Sequence, residues 1–333
     1  MQQRNYKMDN IRFLLIFCVL LGHCIELFQG NFASAIYKII YSFHMPAFLF
    51  LTGFFARFDR RKIVLNLIYP YILFQILYQL FDTYVIKGED KAAIKFGTPY
   101  WLLWYLLVTI FCYLLLPLFD GIQPTSGIIM ALISLALAIL AGLDTSLGYY
   151  ASLARFFSFL PFFLIGHYSA HLWKKQKNQK KPQHYMWLTI VLLLFLVFAC
   201  IYVTKNPDIT RKVLYASYSY EKAHYEPVVK LFLIIVSFAW IAFLLLVMPS
   251  KKIPFLSVLG QHTLSVFLLH GFFIKLAKKE KIFCYSEAQN LLLALMLSII
   301  LLCLLGNPWS AKWFQRLFTG DWINKLMRKR KSL

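Results

Sequence analysis

Ten apolar runs, each long enough to cross about 30 Å of hydrocarbon as a helix, constrain this chain more than any motif it carries. Their limits are 11–28, 36–57, 63–86, 100–119, 126–143, 151–172, 184–204, 228–248, 253–275 and 289–307. Nothing is left over for a separate soluble domain. Residues 1–333 therefore read as one all-α, polytopic membrane domain of about ten transmembrane helices. Composition agrees: 60% of residues are hydrophobic, 15% are charged, and mean hydropathy is +0.63.

The net charge of +21 would point to nucleic acid in a soluble chain. Here the basic residues fall mainly in short connections, where they set orientation and meet anionic membrane lipid, so no nucleic-acid partner is expected. With the N-terminus cytoplasmic, twenty Lys and Arg lie on inside segments and ten on outside ones. Both termini are then cytoplasmic, in the cytoplasmic (plasma) membrane of a bacterial-type cell. The start imitates a secretory signal, with Arg4 and Lys7 before an apolar run and Ala33-Ser34-Ala35 after it. Arg12, His23 and Glu26 interrupt that run, which argues against cleavage. The six cysteines have no CxxC spacing and read as packing residues.

Those three residues are themselves the first sign of chemistry. Ionisable side chains at bilayer depth cost roughly 2.5 to 3.5 kcal/mol each, so their presence marks a functional site. Arg12 and His23 stand eleven positions apart, which places them on one helix face and roughly 16 Å apart along the axis. Glu26 follows His23 at the i+3 position, where it can hold one imidazole nitrogen and leave the other for a substrate. Asp9 reads as a helix cap.

His44 in the second run arrives at the same depth as His23 by helical rise. It reads either as a packing residue or as part of the site, with Pro46 allowing a kink beside it. Arg57, Arg60 and Arg61 close that run with Lys62. They are either a plain topology anchor or a clamp for phosphate, which guanidinium forks suit. The connection 205–227 carries Tyr215, Tyr218, Tyr220 and Tyr225, an interfacial belt or the lining of a polar acceptor site. Arg155 is either a holder of an anionic acceptor or a snorkelling residue, and His270 has a structural or acceptor-lining role. His167 and His171 share a helical spacing but lack a third ligand, so no metal site is expected.

Several short motifs in order resemble the acyltransferase-3 family of integral membrane acyltransferases, especially the branch of fucose 4-O-acetylases. They are Arg12 and His23 in an R-x10-H arrangement, Phe43-His44-Met45-Pro46 followed by Thr52-Gly53-Phe54, and Arg57-x-x-Arg60. Trp101-Leu102-Leu103-Trp104-Tyr105-Leu106, Arg155 with Phe159 to Gly166, and Gly260 to His270 complete the resemblance, which covers nearly the whole chain. Thr52 stands where Ser is usual, and no hydrolase-like domain is expected after the last run.

The resemblance implies transfer of an acyl group, usually acetyl from cytoplasmic acetyl-CoA, to a hydroxyl of a glycan or cell-envelope polymer outside. It makes His23 the catalytic base and Arg12 its companion, with Arg57 and Arg60 on the CoA phosphates. Glu26 as orienter rests on spacing alone, and His44 or Arg12 is a candidate oxyanion donor. Trp101, Trp104, Arg155 and His270 are candidate substrate-lining residues. Direct transfer with His23 as base is expected, an acyl-histidine intermediate being the rival. A carrier or flippase for a lipid-linked sugar is the alternative class, as is a relay to a separate outer-face transferase. No inverted repeat or matched pair of broken helices supports a carrier.

Overall fold

The computed structural model describes residues 4–119, 124–176 and 184–320, and every regular element among the described residues is helical. In chain order these are α1 (Tyr6–Ile25), α2 (Asn31–Tyr41), α3 (His44–Phe55), α4 (Arg60–Lys87), α5 (Trp101–Phe119) and α6 (Pro124–Leu140). There follow α7 (Leu153–Gln176), α8 (His184–Lys205), α9 (Pro227–Val247), α10 (Thr263–Lys279), α11 (Glu287–Gly306) and α12 (Pro308–Phe318).

All ten apolar runs become helical, but seven stretches, with α2 and α3 taken together, are long and apolar enough to cross a membrane. The expected count of ten is higher because three runs fall short in length or polarity. The apolar part of α6 is only Gly127–Leu140, α10 has 17 residues, and α7 is diluted by Arg155, Ser158 and His167. The start of α10 also comes later than the apolar run does. Pro254 and the left-handed Phe255 (φ 71°) break the chain there, leaving only the turn Leu256–Leu259 before Thr263.

α1 lies at the centre of the bundle: 67% of its most apolar window is buried, against 17% for α8. Leu194, Phe198 and Ile201 of α8 face outward, an apolar surface suited to lipid rather than water. Inside, the foot of α1 is tied to the connection after α9. The amide of Asn10 donates to the carbonyls of Pro249 and Lys251, and Ser257 donates to Asn10. Asp9 is not the cap, since Asn5 occupies that position. Its carboxylate instead holds Arg4 at 2.8 Å and Arg12 at 3.6 Å.

The second apolar run breaks at Ser42–Phe43, and Pro46 gives the reason. Proline has no N–H to offer the carbonyl four residues back, which is that of Ser42. Ser237 of α9 takes the place of the missing donor, its hydroxyl lying 2.6 Å from the Ser42 oxygen. The two half-helices can thus change direction without leaving a buried carbonyl bare.

α3 and α7 run in the same direction, with Pro46 and Phe159 near their starts walling one cavity. Two glycines let their backbones touch. A methyl group on Gly53 would run into the Phe163 carbonyl, and one on Gly166 into the Phe50 carbonyl. Small residues at such crossings replace the hydrophobic drive that helices lack in lipid. Overpacking a core typically costs about 1–3 kcal/mol. Gly53→Ala and Gly166→Ala should therefore each lower the unfolding temperature in detergent. An unchanged unfolding temperature in both crossing variants would show that these helices do not pack backbone to backbone.

α12, which the apolar runs do not predict, begins at Pro308 with the Asn307 side chain capping it. Trp309 and Trp313 are exposed beside Lys312 and Arg316, the composition of a helix lying along the membrane interface.

Candidate active site

His23 is in the last turn of α1, and the i+3 spacing brings it to Glu26, Nδ1 to Oε2 at 3.0 Å. A carboxylate only accepts, so in the neutral ring Nδ1 carries the proton and Nε2 keeps a free lone pair. Glu26 is held in turn by three phenols that donate to Oε1: Tyr41 at 2.8 Å, Tyr37 at 3.0 Å and Tyr215 at 3.0 Å. Four donors on one carboxylate fix its position and offset the cost of burying it. Tyr37 and Tyr41 are one helical turn apart on α2 with stacked rings at 3.9 Å. Tyr215 follows the short helix Arg211–Leu214 and reaches Glu26 from 189 positions away.

Aromatic groups enclose the imidazole. The Trp101 ring stands 4.9 Å from it, edge to face, and the His270 ring stacks on it at 5.5 Å. Trp101 takes a left-handed backbone conformation (φ 38°), which is uncommon for a non-glycine residue. Gly271 makes room for three side chains, since a methyl group there would meet the Tyr78 hydroxyl, Leu102 and the Trp101 ring. His270 binds the Val266 carbonyl through Nδ1 at 3.0 Å, and its buried Nε2 has no partner.

Of the other residues expected at the site, Arg155 and Trp104 meet beyond Tyr215. The Arg155 guanidinium lies over the Trp104 ring at 4.7 Å and over Tyr149 at 5.1 Å, and donates to the Tyr215 carbonyl at 3.0 Å. Arg155 is buried, so it does not snorkel. His44 is near but separate. Its ring packs on the other side of Tyr41 at 4.7 Å and Nδ1 meets the Ile40 carbonyl at 2.8 Å, the behaviour of the packing alternative. No contact joins it to His23, so it is not placed as an oxyanion donor there.

Arg12, eleven residues and roughly 16 Å back along α1 from His23, lies over the Phe55 ring at 4.4 Å. Between the two levels, Thr52 and Tyr105 share a hydrogen bond of 2.7 Å, and Tyr105 packs on Phe267. The threonine at the usual serine position thus keeps a hydroxyl facing α5. Arg57, Arg60 and Arg61 are exposed past the end of α3, with Asp59 capping the start of α4 through the Lys62 amide at 3.1 Å. That amide holds the Asp59 carboxyl below the usual carboxylate range. The structure does not bring these arginines to His23; they occupy the opposite end of α3. The His171 side chain lies outside the described residues.

Sequence reasoning missed Tyr37 and Tyr41, and gave Tyr215 no partner. The i, i+4 tyrosines of Tyr37-Lys38-Ile39-Ile40-Tyr41 were a usable signal, being two phenols on one helix face just after a carboxylate at depth. Beside Glu26 opens a cleft of about 770 Å³ lined also by Gln29, Asn31, Ser34, Arg211 and Glu287. A polar molecule can approach Glu26 from there.

Inside a bundle of apolar helices, a half-buried carboxylate thus orients an imidazole, an arrangement suited to proton transfer. The family model Acyl_transf_3, described as an acyltransferase domain, matches residues 5–307. The chain belongs to that family, and its class is membrane acyltransferase. Comparison with curated proteins gives no match, and neither does comparison with solved structures.

Proposed function

We propose that this protein is an O-acyltransferase that moves an acetyl group, or another short acyl group, from acyl-CoA to a hydroxyl of a sugar or cell-envelope polymer. The observation that carries this reading is the His23–Glu26 pair at 3.0 Å, set among aromatic residues with one imidazole nitrogen free. Acyl-CoA, most simply acetyl-CoA, engages from the Arg57 end. The guanidinium groups of Arg57 and Arg60, assisted by Arg61, suit its phosphates. The acceptor comes from the cleft beside Glu26, on the outer face of a bacterial-type plasma membrane.

At the junction, Nε2 of His23 removes the proton of the acceptor hydroxyl as its oxygen attacks the thioester carbonyl. A tetrahedral oxyanion forms and collapses, the C–S bond breaks, and the imidazolium returns its proton to the departing CoA thiolate. Glu26 holds the ring in the tautomer this requires and stabilises the imidazolium while it lasts. Trp101 and His270 wall the space beside the base, and Arg155 with Trp104 borders it on the Tyr215 side. Arg12, paired with Asp9, stands where the acyl arm would enter the bundle.

Purified protein supplied with labelled acetyl-CoA should release CoA and pass label to a hydroxylated acceptor. No release of CoA by folded protein would sink the reading. Arg57→Ala with Arg60→Ala should raise the KM for acyl-CoA about tenfold or more, since a charged hydrogen bond is worth about 1.5–3 kcal/mol, and leave kcat near its original value. An unchanged KM would return both arginines to the role of topology anchor.

A further inference from the structure

Lys230 is the fourth residue of α9 and is 7% exposed. Among the described residues no carboxylate stands within ion-pair distance of it. Its ammonium lies 5.7 Å from the Tyr220 ring, near the outer limit of a cation–π contact. Its position in the first turn of a helix adds to the difficulty, because the positive end of the helix dipole disfavours a cation there. A buried charge with neither counter-ion nor favourable dipole is expensive.

The same lysine borders a cavity of about 50 Å³. Ser158 lines it too, and the Ser158 hydroxyl is buried without a hydrogen-bond partner. Two unconnected deficits, a cation lacking an anion and a donor lacking an acceptor, thus meet at one space. The remaining walls include Phe159, Phe162 and Leu233, which hold water back. At about 10–15 Å³ for each water-sized centre, the cavity holds about four such atoms. That is enough for a carboxylate and too little for a sugar ring.

Tyr41 is also a wall of this cavity, and its hydroxyl is the one that donates to Glu26 at 2.8 Å. Val213 and Leu214, just before Tyr215, wall it from the opposite strand of chain. The cavity and the His23–Glu26 pair therefore share Tyr41, and the segment that walls the cavity also carries Tyr215 to Glu26. We propose that this cavity is a carboxylate-binding subsite, in which Lys230 supplies the counter-charge and Ser158 a hydrogen bond to the acid group of an acidic sugar. Calling that sugar the acceptor rests on the acyl-transfer reading; the binding of the carboxylate does not.

The test needs no acyl donor, so its outcome is separate from whether the protein transfers acyl groups. Thermal unfolding of the detergent-purified full chain is followed with sodium glucuronate, glucose or glucose 1-phosphate at constant ionic strength. Glucuronate should raise the unfolding temperature by about 2–4 °C at near-saturating concentration, and glucose should not. Lys230→Gln should remove the shift and Lys230→Arg retain part of it. If Lys230→Gln does not fold, Ser158→Ala serves in its place and should reduce the shift. Equal shifts with glucose and glucuronate, no shift with glucuronate, or a full shift in Lys230→Gln and Ser158→Ala would each overturn the proposal. A shift with glucose 1-phosphate alone would overturn the carboxylate assignment.

Discussion

Acyl transfer by the His23→Ala variant is expected to fall by about 10²- to 10⁴-fold, the usual contribution of a positioned general base. A sugar hydroxyl is a weak nucleophile, and of the two imidazoles at the proposed reaction point His23 is the one oriented by a carboxylate, whereas His270 is held by the Val266 carbonyl. The loss should appear in kcat, with the KM for acyl-CoA nearly unchanged, because His23 lies far from the arginines at the other end of α3. The check is steady-state kinetics on protein shown to be folded by its elution and unfolding temperature. Substitution leaves a void beside Trp101 and His270 but breaks only one of the four hydrogen bonds to Glu26, so the fold should persist. Full activity in folded His23→Ala would remove the base from the mechanism. The wild type separates the two chemical routes: an acyl-histidine intermediate predicts a burst of CoA without acceptor, and direct transfer predicts none.

Glu26→Gln should cost about 10²- to 10³-fold in kcat. The amide is nearly isosteric, so the bundle is retained, but its NH₂ group can no longer act as an acceptor. If the amide oxygen stays with the tyrosines, the NH₂ faces Nδ1 and favours the ring tautomer with the proton on Nε2, where a lone pair is needed. If the amide flips, it turns NH₂ toward three phenols that now also donate, at 2.8, 3.0 and 3.0 Å. Neither orientation satisfies both sides. By contrast, Tyr37→Phe, Tyr41→Phe and Tyr215→Phe each leave two phenols in place, and each should lose less than about tenfold, one net hydrogen bond being worth about 0.5–1.5 kcal/mol. Parallel rate measurements on the four variants check this ordering. A Glu26→Gln variant no slower than the single tyrosine variants would show that the carboxylate does not orient His23.

The parts of this molecule that could be read from sequence are those with a short repeat length. The apolar runs gave helices whose limits mostly agree within a few residues, because lipid demands length and hydropathy together. His23 with Glu26 could be read for the same reason, three residues being one turn. The position of the break in the second run was less legible. Pro46 announces a disturbance, but only Ser237, far along the chain, decides that the Ser42 carbonyl may be released. Tyr215 lies beyond local rules altogether, since its reach to Glu26 exists only after α1, α2 and the 211–216 segment have packed. His44 shows how far an argument from depth reaches. Equal depth along two helices says nothing about azimuth, and the His44 ring packs on Tyr41 at 4.7 Å.

The backbone contacts at Gly53 and Gly166 carry a mechanical consequence. Two helices touching through bare peptide groups cannot slide past one another by even part of a turn, because the next residue in either direction brings a side chain into the gap. Pro46 and Phe159 at one end of this block, and Phe55 at the other, thus stand at a separation fixed by peptide rise alone. Any molecule that must engage the arginines beyond Phe55 while its reactive end lies beside His23 is measured against a rigid gauge, and one with a shorter arm is refused by length before any chemistry begins.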